Sequence, residues 1–334
     1  MGVKPLDISF TSVAANIQDR NGVGVAGMGV CQSLQNLGHN VKFQDPDCPI
    51  EIAFVQPVHD VWSSDPGRQH RIIYTPWEST ELPKGWKEGF AKADEVWATS
   101  YKVKEWYEGA GIKVDNVYQH GIAPEWVENR ARRRRTDRPL RVGYFGSPAV
   151  RKGGQLAYDA FQKAFGRNPM YQFIIKAQEF CEIRHKVDGK IVGPAGMLNE
   201  NVQVIVESMP FEQLINLYKS IDVMVMPSSG EGWGLIPFQS MALGIPTITT
   251  GATTDYEDLI VPELNIPATM IDSPWPKMHP GRVYKPDFDS IVDSLKWVDK
   301  NYDQAAGVAY RNSFKLAEQY NWEKLTETAF KKFL

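Results

Sequence analysis

Residues 228–246 have the sequence SSGEGWGLIPFQSMALGIP and follow an apolar, strand-like run at residues 223–226, VMVM. Gly232 and Gly234 predict a turn in which the backbone can approach a ligand closely. The helix expected after this turn begins with N–H groups that have no partner inside the helix, and such groups bind anions such as a diphosphate. Glu231 stands just before them and can accept hydrogen bonds from hydroxyl groups. Together these features predict a site for a nucleotide sugar.

Apolar, strand-like runs alternate with helix-like segments around this motif, which is the pattern of α/β domains with parallel sheets. The predicted strands are residues 6–10, 40–43, 52–55, 71–74, 96–99, 117–120, 141–145, 173–175, 202–206, 223–226 and 247–249. The predicted helices include residues 155–165, 211–219, most of the tail from 288 to 334, and 30–37 after a glycine-rich loop at 22–29. Residues 128–140 are polar and rich in arginine, which predicts a linker between a first and a second half of the chain.

Length, charge and cysteine content limit the class of protein. At 334 residues the chain is long enough for two domains, and its net charge of −3 gives no general attraction to nucleic acid or anionic membranes. Its three cysteines, Cys31, Cys48 and Cys181, form no CxxC pair, which predicts a reducing compartment and argues against a zinc site. No apolar run approaches the length of a membrane span and no signal-peptide pattern opens the sequence, so we expect a cytoplasmic protein.

The motif at residues 228–246 resembles the donor-site signature of GT-B glycosyltransferases, in particular the retaining family 4, also called glycosyl transferases group 1. That signature has a second Glu eight residues after the first, where this chain has Gln239. Weaker landmarks of the family follow in the same order along the chain: residues 94–100 (DEVWATS), 120–122 (HGI), 141–146 (RVGYFG) and 320–323 (YNWE). The resemblance therefore covers nearly the whole chain.

The resemblance implies an α/β protein of the GT-B class, in which two Rossmann-like domains with parallel sheets face each other across a cleft. Its expected parts are an acceptor-side domain at residues 1–127, a linker at 128–140, a donor domain at 141–315, and a helix at 316–334 that crosses back to the first domain. The implied reaction is transfer of a sugar from a nucleotide diphosphate sugar, such as a UDP- or GDP-sugar, to an acceptor hydroxyl with retention of configuration. No additional cofactor and no metal is expected.

The donor-binding residues are carried over from the family motif position by position. Glu231 is expected to bind sugar hydroxyls, and Gln239 to hydrogen-bond the ribose without the charge of the family's Glu. Lys152 matches a lysine that clamps the diphosphate, whereas Ser147 stands where the family has an arginine. Arg151, beside Lys152, is the candidate for the missing charge. The full expected donor set is Gly24, Ser147, Arg151, Lys152, Glu231, Gly232, Trp233, Gly234, Leu235 and Gln239.

Residues 22–27, GVGVAG, allow a second interpretation. They match the GxGxxG pattern of dinucleotide-binding proteins, and Asp45 lies at a suitable distance for a ribose contact, which would indicate an NAD-dependent oxidoreductase. Roughly ten residues separate these glycines from the preceding strand, whereas a dinucleotide fold places them directly after it. The GT-B resemblance instead implies a loop that faces the donor, with Gly24 as a donor-binding residue.

The first half of the chain also offers acceptor-side candidates. Residues 74–83, YTPWESTELP, follow a strand and are expected to face the cleft, so Glu78 is a candidate for binding or orienting the acceptor hydroxyl. His120 and His59 are weaker candidates, because a single histidine is more often structural. The expected catalytic residues are Glu231, Lys152, Glu78 and His120.

The acceptor and two further functions stay open at this stage. A glycan, a lipid, a protein or modified DNA are all possible acceptors, and the arginines at 130–141 form either a solvated linker or a contact for an anionic acceptor. The acidic triplets at 45–47 and 287–289 are predicted to be turns rather than metal sites. A non-catalytic nucleotide-sugar-binding protein and a sugar-nucleotide epimerase are the alternatives that use the same fold.

Overall fold

The computed structural model describes residues 4–12, 22–58, 62–134, 136–147, 149–177, 185–187, 190–192 and 197–334. Two six-stranded sheets organise these residues, one in each half of the chain. The predicted alternation of strands and helices is confirmed, and most predicted strands lie within two residues of their observed bounds.

The first sheet is entirely parallel and has the order β2-β1-β3-β4-β5-β6. Its strands are β1 (Asp7–Ser12), β2 (Asn40–Phe43), β3 (Ile50–Phe54), β4 (His70–Thr75), β5 (Glu95–Ala98) and β6 (Asn116–Val117). The helices of this half are α1 (Gly22–Asn36), α2 (Trp86–Phe90), α3 (Tyr101–Gly109) and α4 (Pro124–Glu128). Strands β3 and β4 are buried almost throughout, as expected for a parallel sheet that is covered on both faces.

The second sheet has the order β11-β12-β8-β7-β13-β14, and only its edge strand β11 is antiparallel. Its strands are β7 (Leu140–Phe145), β8 (Tyr171–Ala177), β11 (Met197–Asn199), β12 (Val202–Val206), β13 (Val223–Met226) and β14 (Thr247–Thr249). The helices are α5 (Gly154–Phe165), α6 (Phe211–Ser220), α7 (Leu235–Ala242), α8 (Phe288–Lys300), α9 (Tyr302–Gln319) and α10 (Trp322–Phe330). Two antiparallel hairpins, absent from the sequence prediction, complete this half: β9 (His185–Val187) with β10 (Lys190–Val192), and β15 (Ala268–Asp272) with β16 (Arg282–Pro286).

Helix α10 packs on the first half. Trp322 and Phe330 of this helix belong to the buried core around the first sheet. Thr326 continues the contact in polar form, because its hydroxyl lies 2.7 Å from Ser33 Oγ of α1 and 2.6 Å from the Tyr118 hydroxyl. The domain boundaries expected at residues 127, 140 and 315 stay a prediction.

The prediction of a glycine-rich loop at residues 22–29 is wrong, because α1 already begins at Gly22. Tertiary packing overrides the poor helix propensity of glycine here. A Cβ atom at Gly29 would lie 2.4 Å from the Trp322 ring, and one at Gly27 would meet the Phe10 ring at 3.5 Å. Gly29 therefore lets the Trp322 ring approach the helix, whereas a Cβ atom at Gly27 would make an ordinary contact.

The arginine-rich linker is anchored to the second half. Arg133 Nη1 donates hydrogen bonds to the carbonyls of Lys219 (2.9 Å) and Ile221 (2.8 Å) at the end of α6. Arg138 forms a two-pronged contact with Asp222 at 2.8 and 2.7 Å, and the Arg130 guanidinium lies 3.6 Å from the Phe314 ring. Arg130, Arg133 and Arg138 of this segment thus have structural partners.

No described helix combines the length and the apolar character that crossing a bilayer requires.

Candidate functional site

The segment from β13 to α7 forms the strand–turn–helix that the sequence predicts. The backbone turns at Gly234, the residue before α7, with a φ of 89° that favours glycine. A Cβ atom there would also lie 2.5 Å from the hydroxyl of Tyr256. That hydroxyl donates a 2.6 Å hydrogen bond to the Gly234 carbonyl and so fixes the turn. The first amides of α7 are thereby directed to the end of the sheet at which parallel α/β folds bind ligands.

Gly230 and Gly232 permit a close approach between the two halves of the chain. A Cβ atom at Gly230 would lie 2.2 Å from the Glu78 carbonyl oxygen, and one at Gly232 would lie 2.2 Å from Pro76 Cβ. The Thr99 hydroxyl donates a 2.8 Å hydrogen bond to the Gly232 carbonyl from the first half as well. Contact between the two halves is therefore enough to explain why residue 232 is a glycine, without a ligand close to its backbone.

Glu231 and Lys152 form an ion pair at the start of α7. Lys152 Nζ lies 2.5 Å from Glu231 Oε2, and the two side chains are 26% and 6% exposed, respectively. Burial by itself raises the pKa of Glu231, but the Lys152 and Arg151 cations outweigh it and hold that pKa below its ordinary value. Burial also lowers the pKa of Lys152, an effect that Glu231 opposes. The pair is thus a buried carboxylate beside a half-buried cation.

Arg151 has a different set of partners from its neighbour Lys152. Its Nη1 donates a hydrogen bond to the Gly230 carbonyl, and its Nη2 lies 3.4 Å from Glu78 Oε1 of the first half. Lys152 and Arg151 belong to a short 3-10 helix, Val150–Lys152, which ends at Gly153 with a φ of 75°. One tight turn therefore directs one cation to Glu231 and the other to Glu78.

Ser147 lies in the loop before this short helix and is exposed. Its carbonyl accepts a 2.9 Å hydrogen bond from the Tyr144 hydroxyl, and Gly146 beside it has a φ of 112°. The position at which the family has an arginine is thus at the surface of the loop.

A cavity of about 410 Å³ lies between the two halves and contains three of the predicted donor residues. Gly24 of α1 lines one wall, and Leu235 and Gln239 of α7 line the other. Phe211 at the start of α6 and Trp322 also line the cavity. Glu231 and Lys152 are not among the described lining residues. The predicted donor set is therefore divided between this cavity and the ion pair at the turn.

His120 lies in an aromatic cluster rather than beside the ion pair. Its ring is 3% exposed and stacks on Trp322 at 6.0 Å, with Trp233 5.6 Å away. Neither ring nitrogen has a hydrogen-bond partner among the described residues, and burial lowers the pKa of His120 to about 3. This placement favours a neutral, structural histidine, and its catalytic role stays a prediction. His59 lies outside the described residues.

The acidic triplet at 45–47 lies in a turn, as predicted, whereas the prediction of a turn at 287–289 is wrong, because α8 begins at Phe288. Asp45 pairs with Lys42 at 2.8 Å, and Asp287 caps α8 by accepting a 3.0 Å hydrogen bond from the Ser290 N–H. In the described part of the chain, no three His, Cys, Asp or Glu side chains lie close enough together to hold a metal ion.

His279 is a site residue that the sequence did not reveal. The segment between β15 and β16 carries it to the first half, where its Nδ1 lies 3.8 Å from Glu78 Oε2. Asp255 was also missed, although its carboxylate accepts hydrogen bonds from the Tyr101 N–H (2.8 Å) and Gln119 Nε2 (2.6 Å). Neither residue lies in a motif, so only the docking of the two halves reveals them.

Comparison with known proteins supports the resemblance. Residues 195–266 match the family model described as "Glycosyl transferases group 1". A D-inositol 3-phosphate glycosyltransferase of Corynebacterium jeikeium (strain K411) is 25% identical over 121 residues, which cover 33% of this chain and 26% of that protein. The match spans about a quarter of that relative's length.

Solved structures resemble the chain over nearly its whole length. A sucrose-phosphate synthase from Thermosynechococcus elongatus aligns with a TM-score of 0.66 at 14% identity, covering 98% of each chain. A glycosyltransferase from Rickettsia africae ESF-5 aligns with a TM-score of 0.64 at 12% identity, covering 99% of this chain and 98% of that one. An α,α-trehalose 6-phosphate synthase from Burkholderia multivorans aligns with a TM-score of 0.61 at 9% identity over 98% and 96% of the two chains. The predicted GT-B fold and the resemblance to glycosyl transferases group 1 are therefore confirmed.

Proposed function

We propose that this protein is a glycosyltransferase that moves a sugar, a hexose in the first instance, from a nucleotide diphosphate sugar to an acceptor hydroxyl with retention of configuration. The observation that carries the proposal is the ion pair between the buried Glu231, just before α7, and the half-buried Lys152. A carboxylate for sugar hydroxyls, a cation for phosphate and the free amides of a helix N-terminus meet there. The GT-B fold and the match to glycosyl transferases group 1 support the same reaction.

In the proposed complex, the sugar hydroxyls replace part of the contact between Glu231 and Lys152. The backbone N–H groups of Trp233, Gly234 and Leu235 hold phosphate or sugar oxygens, and Gln239 contacts the ribose in the cavity beside α7. The bond between the anomeric carbon and the phosphate oxygen breaks, and Lys152 offsets the charge that develops on the diphosphate. The acceptor oxygen forms the new bond to the anomeric carbon, and its proton moves to the leaving phosphate. No covalent side-chain nucleophile is required.

The acceptor side of the site is proposed to include Glu78, which faces Arg151 across the two halves. A glycan, a lipid, a protein and modified DNA remain the acceptor classes to test, and a UDP- or GDP-sugar is the expected donor. A cytoplasmic location is consistent with these substrates.

Calorimetric titration with UDP, GDP, dTDP and NAD tests the donor part of the proposal. We expect one nucleoside diphosphate to bind and NAD not to bind. Release of that diphosphate from matching sugar donors is then followed with Glu231→Ala, Lys152→Met and, as a matched control, Glu212→Ala at an exposed position of α6. Both site variants should lose roughly 100-fold or more in kcat/KM, and the control should not. Full transfer by Glu231→Ala, or binding of NAD alone, would refute the proposal.

A non-catalytic nucleotide-sugar-binding protein is the second candidate. It is favoured by the two replaced charges of the family signature, Ser147 and Gln239, and by the use of Arg151 to hold Gly230 and Glu78. Tight diphosphate binding without turnover of any sugar donor would support this candidate. The dinucleotide interpretation is disfavoured, because β1 ends at Ser12 and the glycines of α1 begin only at Gly22, roughly ten residues later.

A further inference from the structure

The turn between β15 and β16, residues 273–281, extends from the second half to the acceptor-side segment of the first half. The Thr80 N–H donates a 3.1 Å hydrogen bond to the Arg282 carbonyl, and the Arg282 N–H donates a 2.8 Å bond back to Thr80 Oγ1. A Cβ atom at Gly281, which has a φ of 78°, would lie 2.5 Å from Thr80 Oγ1. We call residues 273–281 the hairpin turn. It is thus fixed directly against the segment that carries Glu78.

The hairpin turn carries the His279 ring into the site. The ring is 16% exposed and lies 5.4 Å from the Trp77 ring, and the His279 N–H donates a 2.8 Å hydrogen bond to the Trp275 carbonyl. Its Nδ1 is buried, faces Glu78 Oε2 at 3.8 Å, and has no hydrogen-bond partner among the described residues. A buried polar atom without a partner is costly, which indicates that this nitrogen acquires one in another state of the site.

Glu78 lies between two groups of the second half. One carboxylate oxygen is 3.4 Å from Arg151 Nη2, and the other is the oxygen that His279 faces. Burial, with Arg151 and Lys152 nearby, lowers the pKa of His279, although Glu78 opposes this effect. A neutral imidazole can carry its proton on Nδ1, and this N–H can donate a hydrogen bond to a carboxylate. Hydrogen bonds of this kind are often long in unliganded sites and shorten when substrate binds.

We propose that His279 is a positioning residue for the acceptor: together with Arg151 it fixes the Glu78 carboxylate in the orientation that accepts the acceptor hydroxyl. This inference rests on the proposed transferase function. It assigns a task to the hairpin turn, which completes the acceptor side of the site from the donor half of the molecule. His279 therefore affects transfer to an acceptor and leaves donor binding unchanged.

A double-mutant cycle tests this assignment in the full chain. The variants are His279→Leu, Glu78→Gln, their combination, and His279→Asn, which keeps a side-chain nitrogen near the position of Nδ1. Lys277→Leu, exposed in the same hairpin turn, is the matched control. The assays measure transfer from the donor that calorimetry identifies to a panel of p-nitrophenyl glycosides, and hydrolysis of the same donor by water.

His279→Leu should lower transfer roughly tenfold or more, with little change in donor KM or donor hydrolysis. His279→Asn should recover much of the lost transfer rate. In the Glu78→Gln background, His279→Leu should lower the transfer rate no further. Equal losses in the Leu and Asn variants, additive losses in the cycle, or a parallel loss of donor hydrolysis would each refute the positioning role.

A spectroscopic measurement tests the contact without activity. In ¹⁵N NMR of the histidine rings, Glu78→Gln should shift the Nδ1 resonance of His279, which His279→Leu identifies by its disappearance. An unchanged resonance refutes the inference even if transfer is observed. Absence of turnover by the unmodified chain with every donor refutes the proposed function, and the positioning role with it, so the two failures are distinguishable.

Discussion

At the scale of single residues, the charge balance at Glu231 controls stability as well as the proposed chemistry. Lys152→Met leaves this carboxylate, 6% exposed, with a weaker set of partners. We expect a loss of about 2 kcal/mol in the free energy of unfolding, less than for a fully buried pair because Lys152 is 26% exposed. Lys163→Met, which breaks the exposed Lys163–Asp289 pair, is the control and should cost under about 1 kcal/mol.

The same substitution has a pH dependence of known sign. Although burial raises the pKa of Glu231, the cations hold it below its ordinary value, so the pair contributes stability at neutral pH. This contribution disappears as the pH falls through the lowered pKa of the folded state. Urea unfolding from about pH 7 down to about pH 3 should therefore show a deficit of Lys152→Met that shrinks with acidification. A difference in the free energy of unfolding that stays constant with pH would contradict this dependence on the pKa of Glu231.

Gly232 gives a second residue-scale prediction. A methyl group there would overlap Pro76 Cβ, which lies 2.2 Å from the ideal Cβ position. Gly232→Ala should separate the turn before α7 from the segment after β4, cost about 1–3 kcal/mol and weaken donor binding. Gly109→Ala in α3 has open space and should be neutral or slightly stabilising. Calorimetry of unfolding and of diphosphate binding measures both effects, and a fully stable Gly232→Ala would contradict the packing argument.

At the scale of secondary-structure elements, α1 is where sequence reasoning failed and where packing gives a test. Its glycines look like a loop or a dinucleotide fingerprint locally, yet Gly29 is required because the Trp322 ring lies against it. Gly29→Ala should destabilise the protein by about 1–3 kcal/mol through this clash. Gly307→Ala in α9 meets only the Arg311 guanidinium at 3.7 Å and serves as the helical control. Equal stability of the two variants in thermal unfolding would contradict the assignment.

Elements with strong local signals were predicted well. The bounds of β2, β12, β13 and β14 match the prediction. The last three are short runs of mostly apolar and β-branched residues, which mark parallel strands clearly. The hairpin of β15 and β16 was missed, since four prolines and few alternating residues hide its strands in the sequence between Ala268 and Pro286. The motif around Glu231 could be recognised because its glycines and its carboxylate are close together in the sequence.

At the scale of the whole molecule, the site depends on how the two halves meet. Asp255 of the second half connects the two halves. Its carboxylate accepts hydrogen bonds from the Tyr101 and Lys102 N–H groups at the start of α3 and from the Gln119 side chain, all in the first half. Asp255→Ala should open the cleft, which small-angle scattering would detect as a larger radius of gyration and calorimetry as weaker diphosphate binding. Asp258→Ala, at an exposed position nearby, is the control. An unchanged radius and affinity would show that Asp255 does not hold the halves together.

The contacts among Glu78, Arg151 and His279 could not be predicted for the same reason. Their sequence separations exceed seventy residues, and no local pattern records which loop of one half meets which loop of the other. Sequence reasoning identified Glu78 and Arg151 separately, whereas the docked molecule brings them together.

The packing of the Trp322 ring between Gly29 and Gly121 has a consequence for folding during synthesis. A Cβ atom at either glycine would lie within 2.5 Å of the indole ring, so these glycines leave space for a ring that comes from α10. Tyr118 bonds Thr326, 208 positions later in the chain. During synthesis, the first half therefore leaves the ribosome before α10 is translated. The core around its sheet stays incomplete at the position of the Trp322 ring until then.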